Sequence, residues 1–259
     1  MSTINANTIV FLTGAYVSHA CWDNWKTYFS NKGYSTLAPP WPGKNADTAT
    51  LRSRHPDPQL AAVTLPDIIN HYTAIIKGLP EKPILIGHSF GGLLAQLLLN
   101  KDLGAAAVVM HSVPPMGVIP IEINFLRSNG ASLGFFTDIN KTFLMPFKTW
   151  QFAFTNGLPL NEQRSSYDQL TIPESKRAIR GPLSKAGKVD FAKPHNPLLM
   201  LAGKQDQCIP ATLNQRNFKR YKDPNSVREF IVKDRSHHVL GLPTWSADAD
   251  FIHQWLKSH

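Results

Sequence analysis

Residues 83 to 94 read PILIGHSFGGLL: an apolar run, a serine with a glycine two places to either side, and a second apolar run. Glycine is required where the backbone passes through space that a Cβ would fill, so Gly87 and Gly91 predict a very tight turn around Ser89. Such a turn lifts a hydroxyl above the edge of a sheet and aims the N-terminus of the next helix at it. Negative charge developing beside the hydroxyl then meets the helix dipole and unpaired amides, that of Phe90 among them. The pattern G-x-S-x-G recurs by chance, and its weight comes from the context it needs, a strand before and a helix after, which both apolar runs supply. A plain strand-to-helix turn with a capping serine is the alternative, but capping does not require glycine on both sides.

A serine hydroxyl attacks poorly unless a base takes its proton, and the base needs a third group to fix its tautomer. After the apolar run PLLMLAG comes KQDQCIP, which places Asp206 in the loop at the C-terminal end of a strand. After REFIV comes KDRSHHVLG, which places His237 and His238 in the next such loop. The order Ser, Asp, His is the one that this kind of elbow uses. Asp234 lies too close in sequence to His237 to approach it from the opposite side, and the loop after AAVVM offers His111 and Ser112 instead of an acid. Asp206 is therefore the expected acid. Adjacent histidines project in different directions, so only one can reach Ser89; His237 is preferred as the base, with His238 left open.

A second amide for the developing oxyanion should come from the loop in FLTGAYVSHACW, where Gly14 permits a close turn and Ala15 offers its N–H. Tyr16, His88 and His238, next to these residues in sequence, and His111, in the loop after AAVVM, are candidate pocket residues, with a purely structural role as the alternative for the histidines. No metal ligand set is expected. The spacing from Gly181 to Gly187 in GPLSKAGKV is one residue too long for a phosphate-binding loop, and Val189 stands at its Ser/Thr position.

These side chains need elements to carry them. Buried-strand runs occur at TIVFL (8–12), STLA (35–38), PILIG (83–87), AAVVM (106–110), PLLMLAG (197–203) and REFIV (228–232). Between most of them the spacing is helical. DNWKTYFSNKG is bounded by Asp23 as cap and Gly33, and TLPDIINHYTAIIKG sets Ile68, Ile69, Tyr72, Ile75 and Ile76 on one stripe. FGGLLAQLLLNKD and WSADADFIHQWLK behave alike. Alternation of this kind predicts an α/β fold with a mainly parallel sheet covered on both faces. From Val113 to about His195 the rhythm breaks: no strand is expected, and Phe125, Phe135, Phe136, Phe143, Phe147, Trp150, Phe152 and Phe154 gather there. The expected organisation is a core of residues 1–112 and 196–259 with a helical lid over 113–195, most of whose aromatics form a small core of their own.

Length and composition set the outer bounds. A chain of 259 residues, 42% hydrophobic and 17% charged, can bury a sizeable core. No run approaches the length of a membrane-spanning helix, and MSTINANTIVFLTG lacks the pattern of a cleavable leader, so a cytoplasmic protein without a membrane span is expected. Cys21 and Cys208 are expected as free thiols. The net charge of +9 raises nucleic acid as a partner, but the 27 Lys and Arg are scattered, with no basic stripe interleaved with aromatics, so a small-molecule substrate is expected and nucleic acid is not.

With Ser89, Asp206 and His237 in place, the chain resembles the α/β-hydrolases. The resemblance runs over nearly everything outside the lid: the Gly14 loop with Trp22 downstream, GHSFGG, GKQDQCIP matching the family's G-x-x-D-x-x-[VI]-P, and RSHH matching its histidine loop. Thr13 stands where the family usually has a histidine before the loop glycine, and Ser236 where a glycine often precedes the catalytic histidine. The resemblance implies an eight-stranded, mostly parallel sheet, a helical lid inserted after the sixth strand, and no metal or organic cofactor. Serine at the elbow disfavours the halide- and epoxide-processing members, which use aspartate there. The leading expectation is a serine hydrolase that cleaves a carboxylic ester or related acyl compound with an apolar portion. Two others remain open: a non-hydrolytic enzyme of the same scaffold (C–C or cyanohydrin lyase, cofactor-free oxygenase), and a small-molecule receptor.

Overall fold

The computed structural model describes residues 4–134 and 136–259; Phe135, one of the aromatics named above, and the first three residues of the N-terminal stretch lie outside them. The element order is β1 (Thr8–Leu12), α1 (Asp23–Asn31), β2 (Ser35–Leu37), α2 (Thr48–Ser53), α3 (Pro58–Ala62), α4 (Leu65–Lys77), β3 (Ile84–His88), α5 (Phe90–Asn100) and β4 (Ala106–Met110). Four helices follow, α6 (Ile123–Leu133), α7 (Phe147–Ala153), α8 (Leu160–Leu170) and α9 (Lys176–Arg180), and then β5 (Leu198–Gly203), α10 (Ala211–Phe218), β6 (Arg228–Lys233) and α11 (Trp245–Ser258).

Each of the six apolar runs seen in the sequence becomes a strand. They form one sheet in the order β2-β1-β3-β4-β5-β6, parallel at every pairing. Every residue of β1, β3, β4 and β5 is buried, as befits strands covered on both faces. Alternate side chains divide between two cores. Val10, Leu12, Leu85, Val109 and Met200 meet α4 and α5 residues on one face, whereas Ile9, Phe11, Ile86, Val108 and Leu201 meet Trp25 and Phe29 of α1 and Ile252 and Trp255 of α11 on the other. α4 starts with a capping box in which Thr64 and Asp67 bond each other's backbone amides, and it buries Ile68, Ile69, Tyr72 and Ile76, with Ile75 half-buried.

Three expectations need correction. The sheet of the described residues has six strands, not eight: the sequence contains only six buried-strand runs, and the larger number came from the resemblance alone. The stretch 113–195 accordingly follows the fourth strand, not the sixth. Asp23 is not a cap but the first residue of α1, because a 3-10 turn over His19–Trp22 runs straight into the helix and Ser18, whose hydroxyl accepts from the Ala20 amide, caps that turn instead.

The strand order fixes where a site can form. From β1 the chain goes to β2 on one side and then to β3 on the other, so the loops leaving the C-terminal ends of β1 and β3 diverge and open a crevice between them. No helix among the described residues is long and apolar enough to cross a membrane.

Candidate active site

Ser89 sits between β3 and α5 with φ 58° and ψ −119°, a backbone conformation that a non-glycine residue adopts only when its surroundings impose it. Here they do. Its N–H donates to the Met110 carbonyl at 2.9 Å, and its own carbonyl accepts from Val113 at 3.0 Å, which ties the turn to the end of β4. The two glycines have separate reasons. A Cβ at Gly87 would stand 2.0 Å from the Gly91 carbonyl oxygen, and one at Gly91 would stand 1.8 Å from the Leu12 carbonyl oxygen. The first closeness makes the turn; the second lets α5 begin against β1.

The loops after β5 and β6 bring Asp206 and His237 to the same edge. His237 Nε2 lies 3.0 Å from Ser89 Oγ, and its Nδ1 lies 2.7 Å from Asp206 Oδ2. An ionised carboxylate only accepts, so His237 carries its proton on Nδ1 and turns an unprotonated Nε2 to the hydroxyl. Asp206 Oδ1 in turn accepts the amides of Cys208 at 2.8 Å and Ile209 at 2.7 Å, which fixes the carboxylate plane. Asp206, Ser89 and His237 are all buried. Burial alone would raise the Asp206 carboxyl, but the facing His237 and the hydrogen bonds from two imidazoles outweigh it and hold the group far below the usual carboxylate range.

The second imidazole belongs to His111, at the end of β4. Its Nδ1 lies 2.8 Å from the same Oδ2, and its φ of 49° is what turns the ring there. His88 approaches from β3: its Nε2–H donates to the His237 carbonyl at 2.9 Å and so braces the backbone there. Burial pushes the His88 imidazole well down, and the neighbouring His237 and His111 add to this, which keeps the ring neutral. Neither residue borders the larger cavity beside Ser89: His111 bonds Asp206, and His88 lies against His237 and lines a smaller cavity instead. His111, Asp206 and His237 also form the one group among the described residues whose ligand-type atoms lie within 4.8 Å of one another. Both facing nitrogens are committed to Asp206, so an ion would have to displace both bonds.

His238 points elsewhere. Its ring meets Trp150 edge-on at 5.8 Å and borders a small cavity of about 40 Å³ shared with His88, Trp150 and Leu240. Burial, and then the adjacent His237, push its imidazole down to about 4. In the unfolded chain a histidine protonates near 6.5, so on acidification the unfolded state takes up the proton first. Stability from the neutral ring is complete above that value and is lost as the pH falls toward about 4. The melting midpoint is therefore expected to drop between pH 7 and pH 4.5, and His238→Gln to flatten part of that drop; a melting series across this range for both proteins checks it.

The loop after β1 places Ala15 and Tyr16 beside the elbow, with Gly14 against Ser89. Among the described residues the N–H groups of Ala15 and Phe90 have no hydrogen-bond acceptor, and both residues border, with Ser89, a cavity of about 310 Å³. Phe90 opens α5, so its amide lacks an acceptor within the helix as well. The cavity wall comes from the run Val113–Pro120, from Phe125, Leu126, Asn129 and Leu133 of α6, from Phe154, Ile179, Pro182 and Leu183, and from Cys208 and Ile209. None of the lining residues carries a charge. Tyr16 is one of the lining residues, and burial pushes its phenol far up.

Of the aromatics between β4 and β5, Phe125 and Phe154 reach the cavity. The described others do not form the separate small core expected of them: Trp150, which stacks on Phe154 at 4.4 Å, belongs to the same buried cluster as the sheet face toward α4 and α5, Phe143, Phe147 and Phe152 pack against that cluster, and Phe136 is exposed. Cys21 and Cys208 are free thiols. Sequence reasoning missed Cys208 and Ile209 as cavity wall, although their place directly after the acid could have suggested it. It also missed Lys44 and Glu174, a buried ion pair beside the Ala15–Tyr16 loop. Neither stands in a motif, and they are 130 positions apart.

Residues 9–253 match the family described as the alpha/beta hydrolase family. No curated protein sequence matches the chain. Among solved structures the chain is similar to an extracellular alpha/beta-hydrolase from a Paenibacillus species, described as sharing structural and functional homology with tobacco salicylic acid binding protein 2. Identity is 22% and the TM-score 0.70, over 95% of this chain and 98% of that one. It is similar also to a pyrethroid hydrolase from Sphingobium faniae JZ-2, at 18% identity and TM-score 0.69 over 97% and 98% of the two chains. A monoacylglycerol lipase from Paleococcus ferrophilus gives 18% identity and TM-score 0.68 over 97% and 94%. At such identities these structures speak for the fold. The family match speaks for more, because it runs from the first core strand into the last helix: the chain is an α/β-hydrolase, a member of the alpha/beta hydrolase family.

Proposed function

We propose that this protein is a serine hydrolase that cleaves uncharged carboxylic esters, or related acyl compounds with an apolar portion, through an acyl-enzyme on Ser89. The observation that carries the proposal is the 3.0 Å contact between His237 Nε2 and Ser89 Oγ at the wall of an uncharged cavity. Ser89 Oγ bonds to the ester carbonyl carbon as His237 Nε2 takes its proton, and the carbonyl oxygen becomes an oxyanion facing the Ala15 and Phe90 amides. Collapse breaks the bond to the alcohol, which leaves with the proton from His237. Water then gives a proton to His237 and attacks the acyl carbon, and Ser89 recovers its hydrogen as the carboxylic acid departs. Asp206 holds the Nδ1 tautomer of His237 throughout.

The cavity supports the substrate class. A carboxylate buried there would find no cation among the lining residues and would remain unpaired. The hydrolases and the lipase among the similar structures agree with ester chemistry. We read residues 113–195 as the lid of this pocket, since the run Val113–Pro120, α6, Phe154 after α7, Ile179 of α9 and the residues just after α9 supply much of its wall. Free cysteines suit a cytoplasmic location.

A nitrophenyl ester series combined with fluorophosphonate labelling tests the proposal. Each added CH2 from acetate toward hexanoate is expected to raise kcat/KM about three- to fourfold. A half-ester carrying a free carboxylate should be turned over slowly, and the fluorophosphonate should map to the Ser89 peptide. Absence of the label together with absence of ester turnover would remove the proposal in favour of the lyase or receptor alternatives.

A further inference from the structure

Tyr16 has φ 67°, a left-handed conformation that an aromatic residue does not hold unaided. It follows Ala15, whose amide is one of the two proposed oxyanion donors, so what fixes Tyr16 also aims Ala15. The fixing groups come from distant parts of the chain. Glu174 Oε2 accepts the Tyr16 N–H at 3.0 Å, and its other oxygen accepts from Ser175 at 3.0 Å. The same Oε2 is paired with Lys44 Nζ, and both side chains are almost completely buried. Lys44 Nζ lies 3.9 Å from the centre of the Trp41 ring. Trp41 donates its indole N–H to the Thr13 carbonyl at 3.2 Å and packs its ring 5.0 Å from that of Phe90, the other donor residue. Trp41 and Glu174 thus touch the loop on either side of Gly14, Trp41 also touches the start of α5, and Lys44 links the two.

Thr13 occupies the position where α/β-hydrolases usually carry a histidine, and its own hydroxyl is buried without a partner. The loop therefore draws its hold from the segment before α9. Ile172 N–H donates to the Tyr16 carbonyl at 2.8 Å, and Ser18 N–H to the Leu170 carbonyl at 2.9 Å, so residues 170–174 lie alongside 16–18 as a short antiparallel splint.

From this arrangement we infer that Glu174, held by Lys44, is a positioning residue that sets the Ala15 amide for the oxyanion, and that the segment between β4 and β5 thereby completes the machinery of the core. The inference rests on the serine hydrolase proposal above. A buried pair is a weak contributor to stability: apolar replacement of both partners is often neutral, while removal of one leaves a charge stranded. That asymmetry separates positioning from mere support.

The test compares two double variants. Lys44→Met with Glu174→Leu keeps the volume and removes the acceptor of the Tyr16 amide. Lys44→Met with Glu174→Gln keeps an acceptor. The first leaves the Tyr16 and Ser175 amides without their acceptor and is expected to melt a few degrees below the wild type while staying folded at assay temperature, to lose about 10- to 100-fold in kcat with KM changed by less than about threefold, and to bind a trifluoromethyl ketone more weakly by the same factor as the kcat loss. The second should recover most of kcat. Trp41→Phe, which removes the indole N–H on Thr13 together with part of the buried ring but leaves Lys44 and Glu174 in place, is expected to lower kcat about fivefold in the same pattern. Amide exchange over residues 14–17 gives a readout without turnover, and it should quicken in the acceptor-free variant alone. Normal kcat and unchanged exchange in that variant, or in Trp41→Phe if the double variant does not fold, would overturn the inference while Ser89 labelling of the wild type kept the hydrolase proposal intact. Loss of the hydrolase proposal would instead show as an unlabelled wild type, with exchange still reporting on the loop.

Discussion

Ser89→Ala is expected to lower kcat/KM for the best nitrophenyl ester by about ten thousand- to a million-fold, with no fluorophosphonate label and a melting temperature close to that of the wild type. The size follows from what the hydroxyl does. Without it no acyl-enzyme forms, and His237 can only assist water from an unprepared position. Whatever rate remains would come from the Ala15 and Phe90 amides and from binding in the cavity. The fold should tolerate the change because the strain at φ 58° belongs to the backbone and Cβ, which alanine shares, while the side chain's one protein partner is His237 Nε2. Loss of a single hydrogen bond of this kind costs about 1 kcal/mol. A variant that kept more than about one-hundredth of the activity would show that Ser89 is not the attacking group.

Asp206→Asn should cost about ten thousand-fold in kcat, through the tautomer of the base. The carboxylate receives four donors: the imidazoles of His237 and His111 on Oδ2, and the Cys208 and Ile209 amides on Oδ1. An asparagine has one accepting atom. The backbone amides cannot change their protonation, so the amide oxygen must remain with them and the NH2 group must face the two imidazoles. Both histidines can meet it only by releasing Nδ1 as an acceptor and moving the proton to Nε2. His237 then presents an N–H to Ser89 and no longer takes its proton. KM should change little, since Asp206 does not border the substrate cavity. Steady-state kinetics give the kcat loss, and nitrogen NMR of the imidazoles reads the tautomer directly. Activity within tenfold of wild type would mean that the base is oriented by something other than Asp206.

The two substitutions differ in how far the sequence alone could have foreseen them. GHSFGG and GKQDQCIP are local patterns, each set by the backbone within a few residues: a turn that only glycine permits, and a carboxylate that caps its own loop. Six apolar runs separated by helical spacing are equally local, although only the four central strands are buried on both faces and so demand continuous apolar side chains; β2 and β6, at the edges, are partly exposed. The sequence by itself therefore determined the α/β class, the six strands, and Ser89, Asp206 and His237 as residues delivered to one sheet edge. It preferred His237 to His238 but could not decide between them, because the direction of neighbouring side chains in a loop depends on what packs against them. Trp150 and the wall of the small cavity take His238, and Ser89 and Asp206 take His237. Nor could it foresee that His111 would share the oxygen of Asp206, or that Glu174 and Lys44 would bury their charges against Tyr16. Those contacts join segments far apart along the chain and carry no periodicity or motif. They exist only where the tertiary structure joins the β1 loop to the segment between β4 and β5, for a buried charge is stable only where packing brings its partner.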